Sequence, residues 1–209
     1  MSFLLNKKSF FALLLIIPSI VCIILALFVF TNLLYTKNPP LTHFINHVDA
    51  DQFKGDWFII SNIPYFAERN KVASKASYIK LGDNKFKDVF TSQERSFQAP
   101  VEILTGTAKT LNSSNTQWQS TFYYVIRFNF EVVYINHDYS FMLLAHKSRK
   151  YAWIMARSKT VSDSAIVNAM KIFQKNGYDL SKFRLVPQHP EQLKLINKPL
   201  NELYNIASL

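Results

Sequence analysis

Cysteine is almost missing from this 209-residue sequence: Cys22 is the only one, and it lies in an apolar run near the N-terminus. The rest of the chain therefore has no internal disulfide, no catalytic thiol and no cysteine-based metal site. Glycine is scarce as well, with four residues, while aromatics make up 15%. That balance excludes a flexible low-complexity chain and points to an ordered, well-filled core. No nucleophile elbow, phosphate loop or zinc-spaced histidine pair occurs, and no acid–base pair can be placed, so no catalytic residue is assigned. His43 and His47 stand four apart, but no third ligand accompanies them among His137, His146 and His189, so neither metal nor cofactor is expected. Acidic residues are few: 24 Lys and Arg outweigh 14 Asp and Glu, a net charge of +10. The cations are scattered and no recognition motif gathers them, which argues against nucleic acid and leaves lipid headgroups or solvent.

Charge is absent altogether from Ser9 through Tyr35. As a helix this run would extend roughly 39 Å at 1.5 Å per residue, more than the ~30 Å hydrocarbon core of a bilayer. It exceeds the ~7–15-residue core of a secretory signal, and no convincing cleavage site follows. Residues 9–35 are therefore read as a retained transmembrane anchor, with a removed signal as the alternative. Lys7 and Lys8 favour a cytoplasmic N-terminus, which puts the remainder on the extracytoplasmic side of a cell envelope. Ser19-Ile20-Val21-Cys22 is a poor lipid-attachment site, because a bulky Val precedes the thiol. Residues 36–48, with Pro39-Pro40, read as an extended linker.

After the linker the pattern becomes β. Alternation and turn chemistry place strands at 56–63, 75–81, 85–92, 101–109, 116–126, 129–136, 139–146 and 150–157. Eight consecutive strands with mostly short connections predict an all-β domain, an up-and-down antiparallel barrel without free edges. One helix follows. Ser162 is a suitable N-cap, Gly177 suits the C-terminal end, and Ile166, Ala169, Met170 and Phe173 form one apolar stripe for docking outside the barrel. A short strand over 181–186 can follow. The tail from residue 189 to 209 carries near-helical leucines interrupted by Pro199, and either packing on the barrel or touching membrane is open to it.

Several blocks in order resemble the lipocalin family, most of all bacterial lipocalins and their animal relative apolipoprotein D. They are Phe53-Lys54-Gly55-Asp56-Trp57-Phe58, His137-Asp138-Tyr139, Tyr151 to Arg157, Lys159 to Asp163, and Tyr178 to Phe183, within roughly residues 49–188. The resemblance implies that Trp57 sits at the closed base of the barrel with Arg157 across its face. Gly55, Trp57, Asp138, Tyr139 and Arg157 are accordingly expected to be structural.

An eight-stranded barrel can hold one small ligand. Inferring strand faces from charge, with Lys80 and Glu131 outward, directs Ile79, Leu81, Phe90, Leu104, Phe122, Tyr124, Phe130, Val132 and Tyr134 inward as ligand-binding candidates. The alternation around Lys85 and Lys87 also buries Asp88, which conflicts with the usual avoidance of interiors by carboxylates. Arg69 and Lys71, in the first loop at the mouth, are candidates for pairing with an anionic headgroup. The expected function is a membrane-anchored, non-enzymatic lipocalin that binds fatty acids, lysophospholipids or similar apolar molecules for storage, transport or envelope maintenance. The rivals are a scaffold with a filled barrel and a binder of a tetrapyrrole-like pigment.

Overall fold

The computed structural model describes residues 38–204, and the proposed anchor at 9–35 lies outside them. Among the described residues, no helix is long and apolar enough to cross a membrane. Nine strands make one antiparallel sheet: β1 (Gly55–Ile63), β2 (Lys71–Gly82), β3 (Lys85–Glu94), β4 (Val101–Thr110), β5 (Gln117–Phe122), β6 (Ile126–Ile135), β7 (Phe141–Ala145), β8 (Ala152–Ala156) and β9 (Arg184–Leu185). Consecutive strands from β2 to β8 are neighbours, β8 pairs with β1, and β1 pairs back to β2. The result is a closed eight-stranded up-and-down barrel with β9 as an extra strand. A short helix α1 (Ala50–Phe53) precedes β1, α2 (Asp163–Lys175) follows β8, and α3 (Leu200–Leu203) lies near the C-terminus.

Helix α2 forms where its signals place it. Ser162 Oγ accepts a hydrogen bond from Ala165 N, Asp163 stands in the first turn and Lys175 in the last, complementing the helix dipole. Its buried residues are Ile166, Ala169, Met170 and Phe173. They pack with Val133, Leu143 and Ile154 in an outer core between helix and barrel, distinct from the core inside the barrel.

Closure on the β1–β2 side is divided. The backbone ladder between these strands covers Gly55 to Phe58 only. Beyond it, the segment after β9 fills the seam. Val186 N donates to Ile60 O at 3.0 Å, and Ala73 N donates to Pro187 O at 2.8 Å. Buried Gln188 then donates from Nε2 to both Ile59 O (2.7 Å) and Ser74 O (3.0 Å). Ala73 has a φ of 51° at an irregularity in the β2–β3 register between Val72 and Lys75, which turns its N–H towards this strap. The C-terminal segment continues over the barrel: Leu200 is fully buried and its N–H donates to Phe183 O. The segment read as a linker is docked from residue 41 onward, since Leu41 and Val48 are buried and Phe44 N donates to Val133 O.

Candidate functional site: the barrel interior

The two ends of the barrel differ. The lower end carries α1 and the β2–β3, β4–β5 and β6–β7 turns, and it is closed by aromatic rings. Phe53 stacks on Trp118 with centroids 4.3 Å apart, and Tyr78 and Phe86 crowd the same rings. Trp57 is fully buried, and its Nε1 donates to Phe53 O at 2.8 Å. The Arg157 guanidinium carbon lies 3.7 Å from the Trp57 ring centroid. From there Nη1 donates to Asp56 O, and Nη2 donates to Gln52 O, Phe53 O and Lys54 O. Gly55 has a φ of +102°, and a Cβ there would stand 3.2 Å from Arg157 Nη1; both facts favour glycine. Tyr139 contributes its hydroxyl as acceptor for Asp49 N, and Asp138 accepts from Ser140 in the adjoining turn.

Above this floor lies a cavity of about 370 Å³. Its wall combines Ala76 and Tyr78 from β2, Asp88 and Phe90 from β3, Leu104 from β4, Ser120 and Phe122 from β5, and Phe128 and Phe130 from β6. Leu144, Trp153, Met155 and Ile59 complete it, and Tyr65–Glu68, Tyr123 and Ile126 line the upper end. Small residues make the space. Gly106 pairs with Asp88 on one side and Phe122 on the other, and the Phe122 ring covers the position a Gly106 Cβ would take.

Two carboxyl groups line this otherwise apolar chamber. Glu68, in the 3-10 turn Phe66–Glu68 of the β1–β2 loop, accepts from Trp153 Nε1 and Tyr65 N, each at 2.8 Å. Burial raises its pKa, and bonds from Trp153, Tyr65 and Asn62 oppose the rise. Asp88 is only 3% exposed and accepts from Ser120 Oγ at 2.5 Å. Burial pushes its carboxyl up to about 6, against the lowering effect of the serine bond. Tyr78, opposite Asp88 on β2, is kept protonated by burial and by the nearby charges of Asp88 and Glu68.

The residues expected to face inward divide. Phe90, Leu104, Phe122 and Phe130 line the cavity. Val132 is buried in the inner core but is not a lining residue. Ile79 and Leu81 are 51% and 63% exposed: the face of β2 that lines the cavity carries Ala76 and Tyr78, and Lys80 shares their parity. At the strand's lower end Lys80 escapes to solvent and pairs with Asp51 at 2.8 Å, so its charge misreports the face. Tyr134 packs against the outer core, because the β6–β7 register shifts between Val132 and Tyr134 and reverses the alternation. Tyr124 is 97% exposed in the turn that divides the expected single strand 116–126 into β5 and β6. Arg69 is exposed on the mouth loop. Lys71 is held by Glu94 (2.7 Å) and Glu102 (2.6 Å), so its charge is already matched, and neither cation lines the cavity. Tyr65 and Glu68 line the cavity from the loop after Pro64, where alternation gives no signal, and Phe128 lies just outside the strand predicted over 129–136. Trp153 and Met155 share one face of the strand predicted over 150–157, the signal that points to them.

A closed barrel with an aromatic floor, an arginine across the floor tryptophan and an external helix is a distinctive combination. The family model for the lipocalin-like domain matches residues 48–188. The chain belongs to the lipocalin family. This lipocalin is similar to temperature-induced lipocalin-1 of Arabidopsis thaliana, with 24% identity over 157 residues, covering 69% of this chain and 81% of the relative. It is similar also to the outer membrane lipoprotein Blc of Escherichia coli K12, at 25% over 154 residues with the same coverage. Among solved structures, insecticyanin of the tobacco hornworm Manduca sexta shares the fold at a TM-score of 0.59 and 19% identity, covering 73% of this chain and 87% of that one. Lobster apocrustacyanin A1 does so at 0.56 and 10%, covering 68% and 81%.

Proposed function

We propose that this lipocalin is a membrane-anchored carrier of single-chain lipids, the class that includes fatty acids and lysophospholipids. It would act in storage, transport or maintenance of a cell envelope, with the barrel on the extracytoplasmic side. The observation that carries this reading is the apolar chamber of about 370 Å³, open towards the Tyr65–Glu68 loop. Such a wall takes up an alkyl chain by partitioning. At ~0.8 kcal/mol per buried methylene, ten or so methylenes give micromolar binding once association costs are subtracted. The relation to an outer membrane lipoprotein and the uncharged run from Ser9 to Tyr35 support an envelope location.

The test is to purify the full chain without denaturants, extract it and analyse bound lipid by mass spectrometry, alongside titration with a fluorescent fatty acid. Copurified single-chain lipid and saturable binding are expected. Their joint absence overturns the proposal in favour of a filled scaffold, while a visible absorption band identifies a pigment binder. The anchor is tested by membrane retention of the full chain against a variant beginning at Lys37, which should be released.

A further inference from the structure

The lower part of the cavity contains a feature that lipid uptake alone does not use. Asp88 projects from β3 between Phe86, in the floor, and Phe90, in the wall. Only Oδ2 is engaged, by Ser120 Oγ. Among the described residues Oδ1 accepts no hydrogen bond and no cation pairs with the carboxyl. The groups that face it are Tyr78 on β2, Ser120 on β5, side-chain-free Gly106 on β4 and Glu68 from the mouth loop. Lys, Arg and His are absent from that set. A buried carboxylate without a counter-charge is costly, whereas a neutral side chain of similar size would fill the same place cheaply. Glu68 differs, because Trp153, Tyr65 and Asn62 all donate to it.

We propose that Asp88 receives the polar end of the ligand, and that among single-chain amphiphiles the cavity selects those ending in a primary ammonium over those ending in a carboxylate. This rests on the cavity being the lipid site. An ammonium supplies both the missing donor and the missing charge at Oδ1, and charge-assisted bonds are the stronger kind. A carboxylate placed there instead meets a like charge in low dielectric. The ligand therefore enters head-first. Its head sits beside Asp88 and Ser120, and its chain rises past Leu104, Phe122 and Phe130 towards the mouth. Because burial holds Asp88 near 6, the carboxyl is ionised at pH 8 and neutral at pH 5, so the advantage of an ammonium fades in acid.

The experiment uses the full chain held in an amphipathic polymer, with the polymer alone as blank. Dodecylamine, dodecanol and dodecanoate, each below its micelle concentration, displace a neutral naphthylamine fluorophore from wild type and from Asp88→Asn. At pH 8 wild type should bind dodecylamine at least tenfold more tightly than dodecanoate. Asp88→Asn should bring that ratio to about one. The dodecylamine-to-dodecanol ratio of wild type should fall several-fold from pH 8 to pH 5, a readout that stands if the variant does not fold. Equal or tighter binding of dodecanoate by wild type, an unchanged ratio in the variant, or a pH-independent amine-to-alcohol ratio overturns the inference. Uncharged dodecanol separates the two readings: if it binds while the amine has no advantage, only this inference fails. If none of the three binds, the lipid cavity fails with it.

Discussion

Arg157 covers the Trp57 indole at 3.7 Å while its guanidinium donates to four backbone carbonyls of residues 52–56. A single cation thus joins the end of β8 to α1 and the start of β1. Cation–π contact contributes about 0.5–2 kcal/mol, and hydrogen bonds to a charged group about 1.5–3 each. Arg157→Ala should cost about 3 kcal/mol after relaxation, lowering Tm by roughly 6–12 °C in a domain of this size. Urea and thermal unfolding check this. A loss below about 1 kcal/mol would show that the aromatic floor holds itself without the arginine.

Asp88 predicts a pH dependence of opposite sign to that of the surface carboxylates. Its folded pKa of about 6 lies above the ordinary 3.8, so between these values the native state binds more protons than the unfolded one. Stability from this group is full below about pH 4 and is lost as pH rises through 6. The difference corresponds to about 3 kcal/mol as an order of magnitude. Asp49, Asp56 and Glu94, whose pKa values are lowered by hydrogen bonds and ion pairs, work the other way. The comparison of wild type with Asp88→Asn isolates the term. The variant should be the more stable at pH 8 and equal at pH 4 in chemical denaturation. A gap that does not vary with pH would place the carboxyl in water.

Gly106 sets the bore of the barrel. A Cβ there would meet Thr121 O at 2.4 Å and the Phe122 ring at 2.6 Å. The ring can swing into the chamber, but the carbonyl belongs to the β4–β5 ladder. Gly106→Ala should destabilise by about 1–3 kcal/mol and weaken binding of a fluorescent fatty acid roughly tenfold, a difference of about 1.4 kcal/mol. Unchanged affinity would mean that ligands do not reach the Phe122 level.

Glu68 ties the mouth loop to β8 through the Trp153 indole. Glu68→Ala should free that loop, leave unfolding stability within about 2 kcal/mol and accelerate ligand release. Stopped-flow release, followed by Trp153 fluorescence, reads the change. An unaltered release rate would assign the entry path to another part of the rim.

Much of this molecule is legible in its sequence because burial writes periodicity. The stripe on α2 is the one its spacing gives; the meeting of Trp57, Arg157 and Gly55 at the base is implied by the family resemblance and not by any period. The cavity wall is only partly legible. Lys80 shares the parity of inward Tyr78, yet it stands where the strand leaves the core, so a charge near a strand end says little about its face. The β6 irregularity at Val133 carries no residue signature. The β5–β6 turn is more deceptive, since Tyr123 and Tyr124 have φ values of 49° and 63°, a conformation for which Asn or Gly is the usual mark. Two tyrosines there read as strand. Asp88 is the reverse case: simple alternation turns it inward, and the aversion of carboxylates to interiors is the rule that gives way, beside a cavity.

The strap across the β1–β2 seam also fixes when this domain can be finished. Gln188 bonds to the carbonyl of Ile59 across 129 positions of sequence, and until it arrives the upper halves of β1 and β2, each paired on its other side with β8 or β3, face one another across an open seam. A ribosome releases the chain from its N-terminal end, so the barrel wall, which ends at Ala156, is made before its fastener. Loop closure over such a separation is slow, and the open seam is an adhesive edge in the meantime. A chain that stops before residue 188 should therefore remain an unlatched sheet, its seam open between the upper parts of β1 and β2.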